Sequence, residues 1–161
     1  MTETTTNETT IGLDEKVPAV HITREFDAPP AKVFRAFTEV ELFARWNGPE
    51  GSENDFRVFD CRTGGSWAYT GRGEGWEESF HGSFHDVIPN ERIVQTFTWD
   101  GMPEGVSLET MTFVDLGDGR TRVESTSLVD SFEGRDGFVA AGMETGVNEG
   151  YRRLDTLLTE L

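Results

Sequence analysis

Val20, Ile22 and Phe26 alternate with His21, Thr23 and Glu25, the two-residue period of a strand that buries one face. Asp27-Ala28-Pro29-Pro30 stops this strand, and a proline is tolerated at a helix start because that amide has no intrahelical acceptor. A helix is predicted from about Pro30 to Thr38, with Val33, Phe34 and Phe37 on one face. A second short helix carries Leu42, Phe43 and Trp46 and ends at Asn47-Gly48-Pro49. From about Asp55 to Val129 the glycines, prolines and asparagines fall as the turns of a meander, with room for six strands between them. Trp67 and Tyr69, Phe80 and Phe84, Phe97 and Trp99, and Met111 and Phe113 each share a strand face. Residues 135–161 return to helical spacing through Val139, Met143, Gly146, Val147, Gly150, Leu154, Leu157, Leu158 and Leu161. Strands in a run, flanked by helices and without βαβ alternation, predict an α+β domain.

The segment Phe26-Asp-Ala-Pro-Pro-Ala-Lys-Val-Phe-Arg-Ala-Phe-Thr, the stretch Arg45-Trp-Asn-Gly-Pro-Glu-Gly and the terminal Gly142-Met-Glu-Thr-Gly-Val-Asn-Glu-Gly-Tyr-Arg-Arg-Leu-Asp-Thr-Leu-Leu carry a resemblance. So do Gly64-Gly65-Ser66-Trp67, Pro89-Asn90-Glu91-Arg92-Ile93-Val94 and Thr121-Arg122-Val123. Together they resemble the START-like proteins related to the activator of Hsp90 ATPase, also called polyketide-cyclase-like or SRPBCC proteins, over roughly residues 17–161. The resemblance implies a helix-grip (START/Bet v 1-like) fold, a curved antiparallel sheet around a long C-terminal helix, with two short helices after the first strand. It also implies a cavity for an apolar or aromatic small molecule. Members of the superfamily cyclise or dehydrate polyketides, sequester toxic natural products or, in eukaryotes, stimulate a chaperone ATPase, and they share no common catalytic set. The expected function is therefore binding of a lipid, polyketide or natural product. Polyketide cyclase or aromatase activity and a resistance role by sequestration are the alternatives, with a chaperone cofactor behind them.

Length and charge narrow the partners. A chain of 161 residues fits one domain that buries a sizeable core without disulfides. Residues 2–10 contain no apolar side chain, so residues 1–16 are expected as a disordered tail and 17–161 as the domain. Thirty acidic residues against fourteen basic ones give a formal charge of −16, which repels phosphate backbones and anionic lipid. Neither nucleic acid nor membrane is expected as a partner; a monomer or homodimer is. The single cysteine, Cys61, excludes an internal disulfide, and no signal peptide or membrane span is visible, so a cytoplasmic location is expected.

Candidate chemistry lies on the presumed inner faces. Trp67, Tyr69, Phe97, Trp99, Met111 and Phe113 from the sheet, with Met143 and Val147 from the last helix, are expected to bound a pocket. Ser125 and Ser127, in phase with Val123, place hydroxyls there that need a partner. Gly142, Gly146 and Gly150 line one strip of the helix, each at a cost of about 1 kcal/mol against alanine. That strip reads either as close packing or as a bare wall beside a ligand, and Gly146 is taken as a site residue. His81 and His85 stand roughly 13 Å apart along one strand, too far to share an ion. With Phe80 and Phe84 turned inward both histidines should turn away from the pocket, and His21 should face solvent. No metal, cofactor or catalytic set is assigned. The Gly71-Arg-Gly-Glu-Gly run lies between two strands, where it reads as a flexible hairpin at the cavity mouth rather than a nucleotide loop.

Overall fold

The computed structural model describes residues 7–161. Its strands are β1 (Thr10–Leu13), β2 (Ala19–Phe26), β3 (Glu53–Phe59), β4 (Ser66–Gly73), β5 (Trp76–Ile88), β6 (Arg92–Trp99), β7 (Ser107–Gly117) and β8 (Arg120–Leu128). They form one antiparallel sheet in the order β1-β2-β8-β7-β6-β5-β4-β3. The helices are α1 (Pro30–Thr38), α2 (Val40–Trp46), α3 (Phe132–Phe138) and α4 (Glu144–Leu158). This is the α+β helix-grip architecture, and β3 to β8 are the six strands of the predicted meander.

Two expectations change. Residues 7–16 are not wholly tail, since Thr10–Leu13 pair with Leu13↔Val20 through Thr10↔Thr23, making the strand before the short helices the second of the sheet. Residues 1–6 of the expected tail lie outside the described residues. The terminal helix is also not continuous. Gly142 sits at φ 95°, a conformation that residues with a side chain rarely adopt, and a π-helical stretch at Val139–Met143 separates α3 from α4.

One end of the grip is solid core. The rings of Phe34 and Phe37 from α1 each meet Phe113 of β7 edge-on at 5.2 Å, and Phe26 meets Tyr151 of α4 at the same distance. Val33, Leu154 and Val123 complete this end almost free of solvent. Buried among them is Arg24, which is 3% exposed, lies over the Phe26 ring and donates from both terminal nitrogens to Asp155 at 2.8 and 2.6 Å.

A second arginine fixes α4 to the opposite wall. Arg153 donates from Nη1 to the carbonyls of Gly48 and Pro49 at 3.2 and 2.9 Å, and from Nη2 to that of Arg45 at 2.7 Å. It thereby satisfies the carbonyls left unpaired where α2 ends. Asn54 of β3 donates to the Ala44 and Asn47 carbonyls beside them. The α2–β3 corner is thus held rigidly under α4, and beyond it the helix stands clear of the sheet.

Candidate functional site: a cavity between sheet and helix

The space under α4 is a cavity of about 370 Å³. Its sheet wall is aromatic because β4, β5 and β6 each turn their in-phase residues inward. Trp67 and Tyr69 stack at 5.7 Å, Trp67 and Phe97 lie 5.5 Å apart, and Phe80 is within 5.3 Å of both Tyr69 and Phe97. Gly82 makes this possible: a Cβ there would lie 2.7 Å from the Trp67 ring and 2.0 Å from the Thr96 carbonyl. Phe138, Met143, Gly146 and Val147 close the cavity from the helix side. Nothing lies within 4 Å of where a Gly146 Cβ would stand, whereas a Gly150 Cβ would be 3.3 Å from the carbonyl oxygens of both Trp46 and Gly48. The glycine strip therefore divides into a break at Gly142, open space at Gly146 and close packing at Gly150.

Into this apolar box runs one polar row. Gln95, Glu109 and Ser127 are register partners across β6, β7 and β8 and all line the cavity. Ser127 Oγ donates to Glu109 Oε2 at 3.0 Å, and Gln95 Nε2 donates to Oε1 at 3.3 Å. Burial pushes the Glu109 carboxyl above its ordinary value, against the pull of those two hydrogen bonds. No ion pair reaches Glu109 among the described residues. Glu109 is only half-buried and lines the cavity. Tyr69 and Tyr151, which also line the space, are pushed up to about 12 by burial and stay neutral.

Trp67, Tyr69, Phe97, Met111, Ser125, Ser127, Met143, Gly146 and Val147 all border this cavity. Trp99 and Phe113 do not. Trp99 ends β6, where its ring folds over Gly101, donates from Nε1 to Glu78 Oε2 at 2.7 Å and is 44% exposed. Phe113 has the right phase but lies one row beyond, under α1. The hairpin after Gly71 is a tight turn at Glu74-Gly75 and borders no part of the cavity.

The histidines point elsewhere. His81 Nδ1 bonds Asp100 Oδ1 at 2.6 Å, His21 Nε2 bonds Asp14 Oδ2 at 2.9 Å, and both are exposed, as is His85. The β5 irregularity lies between Phe84 and Asp86 and leaves Phe80 and Phe84 facing inward. Burial and Asp60 push the Cys61 thiol up to about 11, which keeps it in the thiol form at neutral pH. Sequence reasoning missed Glu109, although Met111 and Phe113 stand two and four residues beyond it on the same strand face. It also missed Gln95, two residues before Phe97.

Among the described residues no helix is long and apolar enough to cross a membrane. Solved structures share the fold across nearly the whole chain. A solution NMR structure of a protein from Arthrobacter aurescens superposes with a TM-score of 0.85 at 24% identity, covering 94% of this chain and 92% of that one. A crystal structure from Rhodobacter sphaeroides gives 0.84 at 25% identity, covering 96% and 99%. One from Mycobacterium smegmatis gives 0.85 at 21% identity, covering 94% and 97%. No curated protein matches the chain. The family model described as "Activator of Hsp90 ATPase homolog 1-like protein" matches residues 27–159, from the end of β2 to the end of α4. The chain belongs to that family.

Proposed function

We propose that the protein binds an apolar or aromatic small molecule, of lipid, polyketide or natural-product type, in the cavity between the sheet and α4. The observation that carries this reading is Gly146. A glycine in a helix costs about 0.5–1 kcal/mol relative to alanine, and here no neighbour requires its lack of a side chain, because nothing occupies the space a Cβ would take. The sequence forgoes both helix stability and core packing at one point, and a bound molecule would recover the packing. The volume falls within the range of roughly 300–1,000 Å³ typical of small-molecule sites. The aromatic wall with a few polar groups is the usual composition of such sites.

The test is titration with the neutral dye Nile red and with naphthalene-based ligands while following tryptophan emission, since Trp67 stands in the wall. Saturable quenching in the wild type, lost in Gly146→Leu, is the expected result. A flat response to every probe would overturn the reading.

A second reading, a cyclase-like enzyme, is favoured by Glu109, a carboxyl with a raised pKa inside the cavity. Native mass spectrometry of freshly purified protein would identify a carried molecule. If that molecule is converted by the wild type, and Glu109→Gln slows conversion by a factor of about 10² or more with binding intact, the enzyme reading holds. Binding without conversion supports a carrier.

A further inference from the structure

We infer that the cavity selects ligands carrying a basic amine on an aromatic or apolar body, with the amine seated against Glu109. This rests on the reading of the cavity as a ligand site and names the chemistry it recognises.

The Glu109 carboxyl already accepts two hydrogen bonds. Each oxygen of Glu109 accepts one, from Ser127 Oγ and from Gln95 Nε2, so the donors that neighbouring strands supply are already in place. A carboxylate oxygen has room for a further donor, and Glu109 is one of the residues that line the cavity. A buried carboxylate is ordinarily paired with a cation. Elsewhere in this fold the buried charges are paired: Arg24 meets Asp155 and Arg135 meets Asp136. Glu109 alone combines a place in the cavity lining with the lack of an ion-pair partner among the described residues. A ligand ammonium would supply the missing charge.

The surroundings favour a cation over other donors. The rings of Trp67, Tyr69, Phe80 and Phe97 crowd the same wall, and aromatic faces attract cations. A net charge of −16 draws cationic ligands toward the protein and repels carboxylic acids. The groups facing Glu109 from the elements around it are Gln95 on β6, Ser127 on β8, Tyr69 on β4 and Tyr151 on α4. None is cationic, and both tyrosines remain neutral up to about 12. Nothing in the box competes with an incoming amine for the carboxylate.

The step is a proton balance. In the free protein burial holds Glu109 toward its protonated form, whereas an ammonium favours the ionised form; binding therefore expels the carboxyl proton to solvent. Affinity for the amine should rise with pH through the raised Glu109 value and level off above it.

Three isosteric probes decide the matter: 1-naphthylmethylamine, 1-naphthalenemethanol and 1-naphthoic acid, titrated by tryptophan quenching and by calorimetry in phosphate and Tris at several pH values. The amine is expected to bind about tenfold or more tighter than the alcohol, the scale of a charged hydrogen bond. The acid should bind weakest. Glu109→Gln should erase the amine's advantage over the alcohol. Should that variant misfold, the wild-type amine-to-alcohol ratio and the buffer-dependent heat of proton release still give the answer. If the alcohol binds and the amine binds no tighter, or binds without proton release near the Glu109 titration, the inference fails while the cavity reading stands. If none of the three binds, the inference fails, and the cavity reading fails with it only if Nile red gives no response either.

Discussion

Gly146 and Gly150 are one helical turn apart on α4, yet the same substitution should shift stability in opposite directions. Replacing Gly146 with alanine restores helix propensity and restricts the unfolded chain, together about 0.5–1 kcal/mol. The new methyl meets nothing within 4 Å. In a domain of this size the gain amounts to roughly 1–4 °C in Tm. At Gly150 the same gain is opposed, because the methyl would stand 3.3 Å from two carbonyl oxygens at once, those of Trp46 and Gly48. Neither is free to retreat. Arg153 holds the Gly48 carbonyl at 3.2 Å and the Arg45 carbonyl at 2.7 Å, and Asn54 holds the Asn47 carbonyl at 2.7 Å, so the whole corner is pinned. Overpacking a fixed contact costs about 1–3 kcal/mol, which outweighs the propensity gain. Thermal melts followed by circular dichroism should therefore place Gly146→Ala above the wild type and Gly150→Ala below it. Shifts of equal sign would refute the division of this helix into an open and a packed half, and with it the main structural support for the cavity.

Other substitutions probe the remaining parts. Arg153→Lys keeps the charge but cannot reach several carbonyls in a planar fan, and should lower stability in urea by at least about 2 kcal/mol; near-wild-type unfolding would show that the corner holds itself. Glu109 protonates more readily folded than unfolded, so its contribution to stability is lost as pH rises from the ordinary 4.5 through its raised folded value. The advantage of Glu109→Gln over the wild type in urea melts should accordingly grow with pH and then level off, and an advantage independent of pH would count against burial as the cause. Trp99→Phe should leave ligand quenching intact while Trp67→Phe diminishes it, since of these two only Trp67 borders the cavity; the reverse pattern would move the binding site to the exposed sheet edge. His81→Ala and His85→Ala should leave affinity unchanged, and a loss in either would mean that a ligand reaches the outer face of β5.

What the sequence made legible follows from the range of the forces involved. Strand phase is local: Trp67 and Tyr69, or Phe80 and Phe84, face inward because side chains alternate, and no knowledge of the rest of the fold is needed. Which inward residues touch empty space is not local. Phe113 shares its phase with Met111, but whether a ring meets a cavity or a neighbour depends on α1 crossing above it, a contact set by residues nearly eighty positions away. Trp99 fails for the opposite reason, since its strand ends there and the turn at Gly101 offers its ring a closer surface. The strand at Thr10–Leu13 has too little apolar patterning to declare itself and forms because β2 presents an open edge to pair with. The break at Gly142 was hidden because a glycine in a helical stripe reads equally as contact, gap or kink. Glu109 is the instructive case, because its phase was as plain as that of Met111. Charged residues are ordinarily assigned to the outer face, and that expectation prevails until the register shows Gln95 and Ser127 waiting on either side to accommodate an inward one. A single carboxylate that breaks the pattern of an otherwise apolar face carries more information about function than the aromatics around it. Those residues are explained by the need for a core; it is not.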